Sequence, residues 1–130
     1  KTSKGKYVAP VPIENLLNSD SYIELACVSG LGRPACYAVL QLGEEWRDKV
    51  DDDQARAGIT AHLEQLLEDV NTQVESYEQL QFLVVLRDQW DISNNFLTPT
   101  LKIKRDVIEA AYEPHLDGWY ASRQKVIWQD

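Results

Sequence analysis

One lysine stands out. In Asn94-Asn95-Phe96-Leu97-Thr98-Pro99-Thr100-Leu101-Lys102-Ile103-Lys104-Arg105, Lys102 lies between apolar neighbours, directly after a Thr-Pro-Thr turn. Two more cations, Lys104 and Arg105, follow at once. A lysine on a solvated helix has polar neighbours, so this setting fits a cation carried on a rigid loop. Thr98-Pro99-Thr100 alone means only a turn; its value is in fixing Lys102. A second basic group, Lys1, Lys4 and Lys6, brackets Gly5 at the other end. The whole chain carries 21 acidic and 13 basic residues, a formal net charge of −8. Local positive patches on an acidic body suit polyphosphate chemistry, although Lys1, Lys4 and Lys6 taken singly also read as ordinary surface lysines.

Other catalytic arrangements fail. There is no Gly-x-Ser-x-Gly elbow and no GxxxxGK[ST] or GxGxxG loop. Two cysteines without a Cys-x-x-Cys, and two distant histidines, His62 and His115, give zinc almost no support. The acidic clusters Glu44-Glu45, Asp51-Asp52-Asp53 and Glu64/Glu68/Asp69 have the pattern of solvated helical faces. A net negative surface repels a phosphate backbone, which argues against nucleic-acid partners. The longest apolar run, Phe82 to Leu86, is far short of the ~20 residues of a transmembrane helix.

The Lys102-Ile103-Lys104-Arg105 run resembles the Lys-Ile-x-Arg core of the AMP-forming acyl-CoA synthetases. The flanking Leu97-Thr98-Pro99-Thr100-Leu101 form resembles their long-chain fatty-acid–CoA ligase branch most closely. Lys4-Gly5-Lys6-Tyr7-Val8-Ala9-Pro10, followed by Ile13-Glu14, resembles the segment just beyond that family's interdomain hinge. The resemblance implies that the chain is the mobile C-terminal domain of such a ligase, with the large N-terminal domain absent. Position 1 is not Met, which agrees with a start inside a longer protein. The expected substrates are a fatty acid, ATP and CoA, with Mg²⁺ in the full-length enzyme and no cofactor held tightly by this domain alone. By the same resemblance, Lys102 is the catalytic cation of adenylation. Gly5, with Lys4, Lys6 and Tyr7, borders the path of CoA. Arg105 either holds the loop by ion pairing or approaches a CoA phosphate, and Gly5 is either a tunnel-lining residue or a plain turn residue. The implied partner is the large domain, and the implied location is the cytoplasm, with room for peripheral membrane contact through that domain. Two rivals stand: a ligase for another acid or a carrier-protein acceptor, and a non-enzymatic acidic interaction module.

The 130 residues, 44% hydrophobic, suit one domain with a single core. Its elements must position Lys102 and Gly5. Lys1 to Lys6 reads as a hairpin tip turning at Gly5, and Pro12 to Leu17 as a short helix. Tyr22 to Ser29 and Ala35 to Leu42 read as strands around Gly30-Leu31-Gly32-Arg33-Pro34. A register in which opposed positions sum to 63 sets Cys27 across from Cys36, with both strands' apolar residues on one face. Reduced thiols are expected there, as in the cytosol. Glu44 to Val50 offers a helical turn and Asp51-Asp52-Asp53 the cap of the next helix, Gln54 to Val74. That helix has an apolar stripe of Ile59, Leu63, Leu66, Leu67, Val70 and Val74. Leu80 to Leu86 reads as a buried strand, Trp90 to Asn95 as a loop, and Asp106 to Tyr112 as a helix with Val107, Ile108 and Ala111 inward. Trp119, Tyr120 and Trp128 pack either here or on the missing domain. The sum is α+β, a small antiparallel sheet and hairpins packed with helices.

Overall fold

A computed structural model describes residues 5–129. Four helices and four strands follow in the order α1 (Pro10–Asn18), β1 (Ile23–Ser29), β2 (Cys36–Leu42), α2 (Glu44–Arg47), α3 (Asp53–Asn71), β3 (Leu80–Val85), α4 (Arg105–Ser122) and β4 (Val126–Trp128). The chain is α+β, but its sheet is mixed. β1 and β2 pair antiparallel around the glycine turn, whereas β2–β3 and β3–β4 pair parallel. The parallel pairs arise because α3 and α4 each return the chain across the sheet, which a hairpin cannot do.

Each face of the sheet is covered by helix. One layer gathers Ile13 and Leu17 of α1, Ile59, Leu63, Leu67 and Val70 of α3, and Ala38, Leu40 and Leu42 of β2. The other gathers Ile108, Tyr112 and Leu116 of α4 with Tyr37, Val39, Phe82, Val84 and Trp90. The predicted stripe of α3 from Ile59 to Val70 is its core face, with Leu66 partly buried; the helix ends at Asn71, short of the predicted Val74, which packs partly buried beyond it. Asp52 caps that helix, its carboxylate accepting from the Ala55 N–H at 2.7 Å.

The predicted register is wrong. Opposed positions are Cys27–Val39, Val28–Ala38 and Ser29–Tyr37, summing to 66, and the pairing shifts between Ile23 and Leu25. A slip of three, an odd number, carries residues to the opposite face. Cys36 therefore lies in the α1/α3 layer and Cys27 in the α4 layer; both are free thiols. Ile23 and Leu25 are likewise divided by the irregularity.

The last helix is also longer than predicted. Pro114 does not end it, because Ala110, whose carbonyl loses its N–H partner, lies on the exposed face, where water can take its place. The turn that faces the core is Ile108, Tyr112 and Leu116, while Ala111 is exposed. Termination comes at Arg123, left-handed at φ 57°. The aromatic tail packs on this domain. Tyr120 meets Phe82 edge-on at 4.9 Å, and the Trp128 indole donates to Thr60 Oγ1 at 2.9 Å.

Candidate functional site

Lys102 is carried on a short hairpin built by the Thr-Pro-Thr turn. Leu97 and Ile103 form an antiparallel bridge, the Thr98 N–H donates to the Lys102 carbonyl at 2.7 Å, and the Leu101 N–H donates to the Thr98 carbonyl at 2.8 Å. Pro99, Thr100 and Leu101 thus make a three-residue loop, with Leu101 in the left-handed region at φ 66°. The Thr98 hydroxyl accepts from the Lys102 N–H at 3.1 Å, and Lys104 N–H closes the base by donating to Phe96 O at 2.9 Å.

The hairpin is anchored on one side only. Leu97 is buried, and Phe96 and Ile103 are partly buried, against the α4 layer. Beneath them the Trp90 indole donates to the Tyr112 hydroxyl, which donates to Asp88 at 3.0 Å; the Trp90 N–H donates to Gln41 at 2.7 Å. Its other side faces water: Leu101 and Lys102 are exposed. Among the described residues, the Lys102 amine has no hydrogen-bond or ion-pair partner. Lys104, by contrast, donates to Asn95 Oδ1 at 2.5 Å.

Arg105 opens α4 and makes a bidentate pair with Glu14 of α1, Nη1–Oε2 2.5 Å and Nη2–Oε1 3.0 Å. Of its two sequence readings, the ion pair that holds the loop is the one with geometry. Glu14 is buried, at 5% exposure, and also accepts from the Val28 N–H at 2.7 Å. Burial pushes its carboxyl above the ordinary range, opposed by the Val28 bond and by the Arg105 charge. Next to the pair, burial holds the Cys27 thiol up at about 12. A second latch, from Ser29 Oγ to the Glu109 carboxylate, joins the end of β1 to α4.

Lys4 and the tip of the predicted Lys1–Lys6 hairpin lie outside the described residues. Gly5 is exposed at φ 78°, the region that favours glycine. Tyr7 is exposed, and Lys6 lies over the Tyr77 ring at 5.8 Å, just before β3. Sequence reasoning placed Glu14 in a motif without giving it a role. A signal was available: Glu14 shares a helix face with Leu17, three residues on, beside Ile13, so a carboxylate there has to be buried and needs a partner.

Residues 1–124 match the AMP-binding enzyme C-terminal domain. The chain belongs to that family. A long-chain-fatty-acid–[acyl-carrier-protein] ligase of Arabidopsis thaliana, chloroplastic, is 28% identical over 92% of this chain and 16% of its own length. The peroxisomal acyl-CoA ligase 891 of Penicillium brevicompactum is 27% identical over 92% of this chain and 20% of its own. The long-chain-fatty-acid–CoA ligase FadD15 of Mycobacterium tuberculosis is 24% identical, with 22% of its length covered. The chain therefore spans about a fifth of the relatives it matches. Among solved structures, the A-PCP didomain of carboxylic acid reductase from Segniliparus rugosus, in complex with AMP, superposes with a TM-score of 0.74 at 25% identity. That match covers 94% of this chain and 17% of that one. This C-terminal domain thus has the fold found in adenylation enzymes.

Proposed function

We propose that this chain is the mobile C-terminal domain of an ATP-dependent long-chain fatty-acid–CoA ligase, and that Lys102 is its adenylation cation. The carrying observation is the Lys102 amine, held out to solvent by a hairpin whose opposite side is nailed to the core. A carboxylate oxygen attacks the α-phosphorus of ATP; the new P–O bond forms as the bond to the β-phosphate oxygen breaks, and pyrophosphate leaves with its electron pair. Two anions meet in that step. A cation between them at ~4 Å, with an effective dielectric near 20, contributes about 4 kcal/mol before desolvation. In the second step the CoA sulfur attacks the acyl carbonyl; the C–S bond forms as the acyl C–O bond to the phosphate breaks, AMP leaves with that electron pair, and the thiol proton passes to solvent. Gly5, Lys4, Lys6 and Tyr7 border the acceptor in that step, reached after the domain rotates against the large domain.

Among the described residues no three His, Cys, Asp or Glu side chains gather as a metal site; on the proposed reading Mg²⁺ belongs to the full-length enzyme. No described helix is long and apolar enough to cross a membrane, and the cytoplasmic location is part of the proposal. A carrier-protein acceptor is the second reading, favoured by the name of the Arabidopsis relative. The test is Lys102→Ala in the whole ligase. Pyrophosphate exchange should collapse, and supplied acyl-adenylate should restore much of the CoA acylation. Equal loss in both half-reactions defeats the assignment. Transfer of the acyl group to a carrier protein in preference to CoA supports the second reading.

A further inference from the structure

Lys102 is exposed and nothing it touches fixes its amine, so its aim depends on the backbone on either side. On one side, Thr98 and the Leu97–Ile103 bridge hold it. On the other, Arg105 follows three residues later, a chain length that spans at most ~10 Å. Between them the Lys104 N–H is tied to Phe96, so displacement of Arg105 is passed to the hairpin with little slack. Arg105 itself is fixed by Glu14, whose carboxylate takes both guanidinium nitrogens and, on the same side chain, the Val28 N–H. That arrangement joins α1, β1 and the first residue of α4 at one buried point.

A buried carboxylate is a costly way to hold a helix in place. An apolar pair of the same volume often stabilises a fold as well or better. What an apolar pair lacks is direction: the fork of a guanidinium on a carboxylate fixes two distances and a plane. Resting on the reading of Lys102 above, we propose that Glu14 is a positioning residue for adenylation, setting the place of Lys102 through Arg105.

The experiment is a mutant cycle in the whole ligase. Glu14→Gln keeps the side-chain shape and an oxygen for the Val28 N–H while removing the charge that Arg105 pairs with. Misplacing a catalytic group by about 1 Å costs on the order of a hundredfold. The kcat of pyrophosphate exchange should therefore fall tenfold to a hundredfold, with KM for ATP held. In a Lys102→Ala background the same substitution should cause no further fall, because residues acting as a unit are not additive. An equal fall in both backgrounds makes Glu14 merely structural and overturns the proposal, as does an unchanged kcat in the Lys102 enzyme. If Glu14→Gln does not fold, Arg105→Lys, which keeps the charge and loses the fork, runs the same cycle with the same two overturning results. Lys102→Ala that leaves exchange intact is a separate failure, visible in its own arm: it removes the reading of Lys102 and this inference with it.

Discussion

Lys102 and Arg105 stand three residues apart in one basic run and live in opposite surroundings. Lys102 is in water, on a loop fixed by main-chain bonds, with no partner for its amine among the described residues. Arg105 has both nitrogens on a buried carboxylate and one of them 3.8 Å from the Cys27 sulfur. A cation meant for a ligand has to keep its charge available, and one meant for the fold has to spend it. On the proposed reading of Lys102 the run divides these tasks over a single turn of chain, so charge alone does not tell a site residue from a scaffold residue.

The largest effect should fall on activity at the first position and on stability at the second. Lys102→Ala should lower pyrophosphate exchange by the ~10²–10³ that an oriented donor supplies. Denaturant unfolding of the 130-residue chain should move by no more than about 0.5 kcal/mol. Arg105→Ala should destabilise the chain by about 3 kcal/mol, because it leaves the Glu14 carboxylate buried and unpaired. Similar stability losses for the two variants would erase the contrast. Glu14→Leu with Arg105→Leu should recover part of the loss, since an apolar pair removes the orphaned charge.

Alkaline pH sharpens the comparison, because it acts on the buried side. Burial raises the Cys27 thiol to about 12 and the Tyr37 hydroxyl to about 12, and raises Cys36 as well. The unfolded chain releases these protons near their ordinary values of about 9 to 10, while the folded chain keeps them. The unfolded state therefore binds fewer protons, and stability falls as pH rises from about 9 towards 12. Between pH 8 and pH 10 the loss should be about 1–2 kcal/mol, and Cys27→Ala should flatten it. An unchanged midpoint over that range would mean that the layer beside Arg105 admits water.

Gly5 and the Lys102 hairpin make a second contrast, between the two half-reactions. With Gly5 at φ 78°, any β-carbon adds ~1–2 kcal/mol of backbone strain. Gly5→Ala and Gly5→Leu share that strain, but only Leu adds bulk. Both should leave pyrophosphate exchange near its original rate, and Leu should slow thioester formation well beyond Ala. Equal slowing by both would reduce Gly5 to a turn residue.

Much of this was legible in the sequence where one period or one cap decides the outcome. The stripe of α3 follows from 3.6-residue spacing, and its start from Asp52. The Lys102 turn was legible because Pro99 and the two threonines have few other conformations to adopt. The β1–β2 register was not. Every residue of β2 is buried, since helices cover both faces, so alternation carries no information about which face is which. The length of α4 was hidden for a different reason: a proline counts as a stop unless the face it lies on is known. Glu14 was readable as a buried acid, but its partner lies 91 residues away, and local spacing does not reach that far.

The smallest expected effect tests the hairpin itself. Leu101 is 61% exposed, so its side chain contributes little packing, yet its backbone sits at φ 66°. Three-residue loops of this kind favour glycine at that position, because a β-carbon there crowds the backbone by ~1–2 kcal/mol. Part of that relief is offset by the greater freedom of glycine in the unfolded chain, roughly 0.5–1 kcal/mol. Leu101→Gly should therefore stabilise the chain by less than about 1 kcal/mol, read as a small rise in the unfolding midpoint. Leu101→Val should go the other way by a similar amount, since a β-branched side chain is worse still at positive φ. Pyrophosphate exchange should barely change in either, because Thr98 and the Leu97–Ile103 bridge still close the loop below it. Gly and Val variants of equal stability would show that Leu101 leaves the left-handed region in solution, and that the loop carrying Lys102 is looser than the anchored clamp behind it.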